Sequence, residues 1–150
     1  MNRRHAMSTI SAAAIGVAGL SLSANAAPRN QIDPPKADDA AWDRCCRACS
    51  ACVDACGKAC VHCMHMAQQG KTEHVRMSAM CADCSDCCAS MLALCSRMST
   101  IAPPMAAAIA DCCDKCADAC DKVEGDAMKA CAKACRECAA ACRALHKKNG

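Results

Sequence analysis

The chain has 150 residues and a net charge of +3, and although 54% of it counts as hydrophobic, it has no Phe or Tyr and one Trp. Alanine and cysteine supply most of that hydrophobic share, and twenty residues are cysteine. Without a basic stripe, and without aromatic rings on which bases could stack, nucleic acid is excluded as a partner.

Residues 1–26 have the features of a cleavable export signal. Arg3 and Arg4 precede an uncharged, mildly apolar run, and a small-residue cleavage site ends at Ala26. Adjacent arginines before such a run favour the twin-arginine route over an ordinary secretory signal. Neither this run nor any later segment reaches the ~18 consecutive apolar residues of a membrane span. We therefore expect an exported protein, periplasmic or otherwise outside the cytoplasmic membrane, with no membrane span.

Residues 27–37 are polar, contain three prolines, and are expected to form a flexible N-terminal lead. Residues 38–148 have the length of one domain. Large aliphatic residues are few in it, and each contributes roughly 1.5–3 kcal/mol on burial, against roughly 1–2 kcal/mol per residue for ordering the backbone. We therefore expect disulfides or metal ions to hold the interior together.

Glycines and prolines divide this domain into helical segments. Gly70, the Pro103-Pro104 pair and Gly125 each follow or begin a run with helical periodicity. No alternation of Val, Ile or Tyr indicates a strand. Four amphipathic helices with short connections predict an all-α fold, an antiparallel four-helix bundle with a cysteine-lined interior. The expected helices cover residues 38–68, 72–98, 104–123 and 126–146.

The cysteines recur at intervals of three and four, which places them on one face of each helix. On the first and fourth helices they fall within arcs of about 80° and about 60°. The seventeen cysteines predicted to face inward and bind metal are Cys45, Cys49, Cys52, Cys56, Cys60, Cys63, Cys81, Cys84, Cys88, Cys95, Cys113, Cys116, Cys120, Cys131, Cys135, Cys138 and Cys142.

Cys46, Cys87 and Cys112 each lie near the edge of the inward arc. Two interpretations stay open for them: they bind metal from the flank, or they are partly exposed thiols.

An even number of cysteines in an exported chain also allows a disulfide framework or a redox protein. However, residues four apart on a helix have Cβ atoms roughly 5–6 Å apart, whereas a disulfide needs roughly 3.5–4.5 Å. Two metal–sulfur bonds span up to about 4.6 Å, taking zinc as the guide. The spacing therefore favours metal binding, while disulfides between helices remain geometrically possible.

Charge favours a monovalent metal ion. A zinc ion held by four thiolates leaves about two uncompensated negative charges in a dry interior. Thiolate and thioether ligands select Cu(I), and bridging sulfurs would bring many ions close to one per thiolate. We therefore expect multiple Cu(I) ions per chain, with a zinc or cadmium buffer as the alternative. No thiol is singled out as a catalytic nucleophile, so no enzymatic activity is expected.

Thioethers and imidazoles gather where the first helix ends and the second begins. The connections that follow the first and third helices lie at the same end of an up-down bundle, which adds Met128. We expect this end to be the entry for Cu(I), although such methionines also fill core gaps and such histidines are also simply solvated. The additional candidate ligands are His62, Met64, His65, Met66, Met77 and Met80.

These motifs resemble the bacterial copper storage proteins, a family of cysteine-lined four-helix bundles. The resemblance implies storage of many Cu(I) ions in each bundle, assembly into homotetramers, and export in the twin-arginine branch. It extends over nearly all of the region after the signal. It rests on the segment His62-Cys63-Met64-His65-Met66 and on the pairs Cys45/Cys49, Cys52/Cys56, Cys84/Cys88, Cys116/Cys120, Cys131/Cys135 and Cys138/Cys142.

Overall fold

A computed structural model describes residues 39–149, and this region is built from four α-helices. No strand occurs among these residues, so the predicted all-α class is confirmed. The expected export signal at 1–26 and the lead at 27–37 lie outside the described residues. The helices are α1 Asp39–Gln68, α2 Glu73–Ser96, α3 Ala102–Cys120 and α4 Asp126–Asn149.

The helix ends agree with the predicted ones to within three residues, and the end of α1 and the start of α4 match them. The third helix begins at Ala102, ahead of the predicted start at Pro104, because a first turn accommodates proline without losing a hydrogen bond. It ends at Cys120 rather than Val123. The fourth continues to Asn149, with three basic residues in its last turn, where they favour the helix dipole.

The helices form an up-down-up-down bundle in which neighbours in sequence are neighbours in space. α1 packs against α2 and α4, and α3 also packs against α2 and α4. Near the start of α1, Cys45 contacts Cys142 at the end of α4 and Cys95 at the end of α2, so adjacent helices run antiparallel. This arrangement confirms the predicted antiparallel bundle.

Sulfur takes the place of an aliphatic core. Sixteen cysteines are buried, together with small alanines that allow the helices to approach closely. The only large aliphatic side chains buried in the described region are Ile109 and Leu145. Trp42, Met77, Met91 and Met128 are the other large side chains buried there. The interior is therefore an almost continuous layer of thiols.

Ion pairs tie α3 to α4 on the outside of the bundle. Arg136 binds Asp118 at 3.3 Å and Asp121 at 2.5 Å, and Arg143 binds Asp111 at 3.2 Å and also binds Asp114. These groups are about half exposed, so solvent screens each pair and its contribution to stability is small.

By length and mean hydropathy alone, α2 is apolar enough to cross a membrane. Its apolar character comes largely from Cys, Met and Ala, and one face is buried within the bundle. Helices in the core of a bundle meet the same criterion, so this helix is weak evidence for a membrane. The expected absence of a membrane span stays a prediction.

Two glycines occupy opposite environments and allow a matched test of the fold. Gly57 lies within α1, and a Cβ added there meets no atom within 4 Å. Gly125 has φ +134°, and an added Cβ would lie 2.9 Å from His62 Nε2.

We expect Gly57→Ala to raise the free energy of unfolding by about 0.5–1 kcal/mol, because alanine loses less backbone entropy in a helix. Gly125→Ala should lower it by about 1 kcal/mol or more, because alanine cannot adopt this φ without strain. Urea denaturation of the reduced, metal-free protein measures both. Equal effects of the two substitutions would contradict the described loop geometry.

Candidate metal centre

Fourteen of the buried cysteines form groups whose sulfur atoms all lie within 4.8 Å of one another. Four of these groups have four thiols and draw on three or four helices, so they exist only in the folded bundle. The groups are Cys52/Cys56/Cys84/Cys135, Cys52/Cys88/Cys113/Cys138, Cys56/Cys116/Cys131/Cys135, Cys81/Cys116/Cys120/Cys131 and the triad Cys45/Cys49/Cys142.

The four quartets overlap. Cys52, Cys56, Cys116, Cys131 and Cys135 each belong to two of them, so eleven cysteines make up four quartets. Each shared sulfur can bridge two metal ions. The quartets therefore form one connected network along the bundle axis.

The triad and Cys95 extend this network toward the end of the bundle where α1 begins. Cys49 Sγ lies 3.6 Å from Cys138 Sγ, which joins the triad to the nearest quartet. Cys95 Sγ lies 3.5 Å from Cys45 Sγ.

The sulfur separations fit metal bridging. Within one helix, Cys52 and Cys56 lie 3.9 Å apart, and between helices Cys88 and Cys113 lie 3.4 Å apart. A disulfide bond is about 2.05 Å long, whereas two metal–sulfur bonds span up to about 4.6 Å. All twenty cysteines are free thiols. Small movements would place soft ions between neighbouring sulfurs.

The interior favours protonated thiols, with local exceptions. Burial raises the pKa of the Cys63 thiol, and it raises that of Cys112 to about 12, with neighbouring thiols adding to the effect. The pKa of Cys52 is lowered, because a thiolate there accepts hydrogen bonds from Cys113 and from other thiols around it. A metal ion that enters this network must displace protons from the thiols it binds.

Four cysteines are only half-buried and lie outside the groups. Cys46, Cys87 and Cys112 were predicted at the edge of the inward arc, and they are half-buried. Cys60 differs from its predicted inward position: its sulfur lies 3.3 Å from Ser78 Oγ, because it faces the seam between α1 and α2. Cys46 occupies the same seam, 3.9 Å from Ser96 Oγ.

A mixed sulfur and imidazole cluster lies where α1 ends and α4 begins. Cys63 Sγ lies 3.6 Å from Met128 Sδ and 3.5 Å from His74 Nδ1. The ring of His62 packs edge-on against His74 at 5.7 Å, and its buried Nε2 has no hydrogen-bond partner. We call these four residues, Cys63, His62, His74 and Met128, the mouth cluster.

Several predicted mouth residues lie elsewhere. Met64 and His65 are exposed, and His65 Nε2 lies 2.9 Å from the side-chain amide of Gln69. Met77 is buried, Met66 is half-buried, and Met80 lies in a groove between α2 and α3. Consecutive residues on a helix point in different directions, so the His/Met run of α1 could not place all of its side chains together.

The opposite end of the bundle is closed by apolar residues. Trp42, Leu145 and Pro103 are buried there, and His146 Nδ1 lies 2.9 Å from the Pro103 carbonyl oxygen. The two ends of the bundle therefore differ in chemistry: thiol, thioether and imidazole groups lie at one end, and packed apolar side chains lie at the other.

Comparison with known proteins agrees with this geometry. Residues 38–147 match the family model described as copper storage protein. No curated protein sequence matches the chain.

Three solved structures are similar over nearly their whole length. Apo copper storage protein 3 of Bacillus subtilis is 30% identical, with 69% of this chain and 97% of that chain covered and a TM-score of 0.61. Its Cu(I)-bound form is 29% identical, with 71% of this chain and 98% of that chain covered and a TM-score of 0.66. The Nmul_A1745 protein of Nitrosospira multiformis is 26% identical, with 73% of this chain and 97% of that chain covered and a TM-score of 0.65. Because residues 38–147 match the family model, this chain belongs to the copper storage protein family.

Proposed function

We propose that this protein stores Cu(I) inside its bundle, with the sixteen buried cysteines as thiolate ligands. The overlap of the four quartets carries this proposal, because shared sulfurs are what a store of many bridged ions requires. The solved relative bound to Cu(I) supports it. The thiols form a distributed set in which none is distinguished as a nucleophile, so the proposed role is storage rather than catalysis.

Charge balance separates copper from zinc. Four divalent ions in the four quartets would bring +8 against eleven thiolates, which leaves −3 in the interior. The only buried polar or charged side chain in the described region is His74, so nothing inside compensates that charge. Monovalent Cu(I) ions, close to one per bridging thiolate, leave the interior nearly neutral.

We expect the reduced protein to bind well over ten Cu(I) ions tightly in an anaerobic titration against a chromogenic chelator, since about one ion enters per bridging thiolate. Cys135→Ala should lower the capacity by more than one ion, because Cys135 belongs to two quartets. Cys46→Ala is the matched control and should lower it by at most one.

Tight binding of only about four divalent ions in preference to Cu(I) would instead indicate a zinc or cadmium buffer. If protein isolated from its host had few free thiols, the disulfide alternative would be favoured.

We propose the mouth cluster as the entry for Cu(I), together with Met77, which is buried outside the cluster one turn beyond His74 on α2. Thioether and neutral imidazole ligands bind Cu(I) without losing a proton, so they exchange it readily. The unpartnered Nε2 of His62 offers one such ligand. Cys63 contacts both His74 and Met128, so an ion held there would already touch a core thiol.

Replacing Met77 and Met128 together with leucine should slow copper uptake without lowering capacity, because leucine keeps the volume and removes the thioether. The control replaces Met91 and Met105, which lie toward the closed end, in the same way. Stopped-flow transfer from a Cu(I)–chelator complex measures the rate. Equal rates for the two double variants would argue against this entry.

We propose that the protein is exported through the twin-arginine route, after cleavage near Ala26. The arginine pair at Arg3 and Arg4 supports this, and folding before export would shield the thiols from oxidation. Replacement of both arginines with lysine should retain the protein in the cytoplasm, as shown by cell fractionation. Unimpaired export of this variant would refute the route.

We propose a homotetramer, on the family resemblance. Val53, Gly57 and Val61 line a shallow depression on the outside of α1 together with the Asp54–Lys58 ion pair, and Val61 is 68% exposed, so some apolar surface is available for another copy. Sedimentation equilibrium of the mature protein should give four times the monomer mass, and a monomer mass would contradict the proposal.

A further inference from the structure

A groove follows the seam between α2 and α3 on the outside of the bundle. Near its middle it has a volume of about 350 Å³ and is lined by Met80, Asp83, Ala108, Asp111, Cys112 and Lys115. Met80 also lines the adjoining groove with Met77 and Val123. A thioether and a thiol therefore lie together in a surface depression well away from the closed end.

A second thiol lies beside this groove. Cys112 on α3 and Cys87 on α2 are the immediate neighbours of Cys113 and Cys88, whose sulfurs lie 3.4 Å apart, and both are half-buried. Cys46 and Cys60, the other half-buried cysteines, each face a serine.

This pair continues directly into the core. Cys87 and Cys112 both pack against the core cluster, which includes Cys84 and the rest of its quartet. The Cys84 sulfur lies 3.9 Å from that of Cys135 and 4.0 Å from that of Cys113. Soft ligands thus follow one another from the groove to the centre of the thiol network.

We propose that Cys87 and Cys112, with Met80 at the rim, form a lateral Cu(I) transfer site that exchanges ions with the core at Cys84. The inference rests on the proposed storage of Cu(I). It adds a second route, through the wall of the bundle, to the entry at the mouth cluster.

The exchange needs no redox step. Cu(I) leaves a soft carrier ligand for the Met80 thioether, and the thiols of Cys112 and Cys87 then release their protons to water and bind it. Two thiolates and one Cu(I) carry one net negative charge, and Lys115 is the cationic side chain that lines the same groove, beside Asp83 and Asp111. Cys84 then loses its proton and adds as a third ligand, after which the Cys87 sulfur leaves and regains a proton. Copper remains Cu(I) throughout.

The test compares two double variants of the reduced protein, Cys87→Ser/Cys112→Ser and Cys46→Ser/Cys60→Ser. Both remove two half-buried thiols, and only the first removes the lateral site. Uptake from a Cu(I)–chelator complex is followed by stopped flow, and removal by a stronger chelator is followed afterwards. We expect the first variant to slow both rates severalfold and the second to leave them unchanged.

A conservative variant guards against a merely structural effect. Met80→Leu keeps the volume and should slow uptake while capacity stays the same, whereas Met105→Leu should change neither. Combining the lateral variant with Met77→Leu/Met128→Leu should slow uptake more than either change alone, because two parallel routes would then be blocked.

The outcomes separate this site from the storage function. Capacity well over ten ions with equal rates in both cysteine double variants would overturn the lateral site and leave storage intact. A low capacity in the unmodified protein would overturn storage itself, and the lateral site with it.

Discussion

The burial of sixteen thiols in an interior without countercharges governs the rest of this structure. Protonated thiols are nearly apolar and pack as a small hydrophobic core. Once deprotonated, they need a cation at close range, because a charge buried alone is very costly. Metal binding and charge neutralisation are therefore the same event in this bundle, and a monovalent soft ion satisfies both with the fewest leftover charges.

Helix geometry converts this chemistry into a connected network. Cysteines spaced by three and four residues line the inner face of each helix, and antiparallel packing brings the four faces together. The quartets arise because sulfurs from different helices meet at 3.4–4.0 Å, as between Cys88 and Cys113 or between Cys84 and Cys113. Five shared cysteines then connect the quartets. Such a core has little aliphatic packing, so bound metal should add much of the stability of the loaded protein.

Much of this could be predicted from the sequence, because periodicity reports directly on which face of a helix is buried. The helices, the bundle and the sixteen buried cysteines followed from spacing alone. The position of Cys60 could not be predicted in this way. It lies at the margin of the cysteine arc on α1, and the neighbouring helix decides whether such a residue faces the interior or a seam between helices. Met64 and His65 are exposed for a different reason, because consecutive residues of α1 point in different directions. Nor does spacing reveal which sulfurs are shared, because that depends on the relative height of the four helices.

The most direct test of the central claim is a crystal structure of the Cu(I)-loaded protein, with anomalous diffraction recorded above and below the copper edge. The account predicts many copper peaks inside the bundle, between the sulfurs of the quartets, with Cys52, Cys56 and Cys135 each contacting more than one ion. Copper confined to the surface, or disulfides joining the core cysteines, would contradict it.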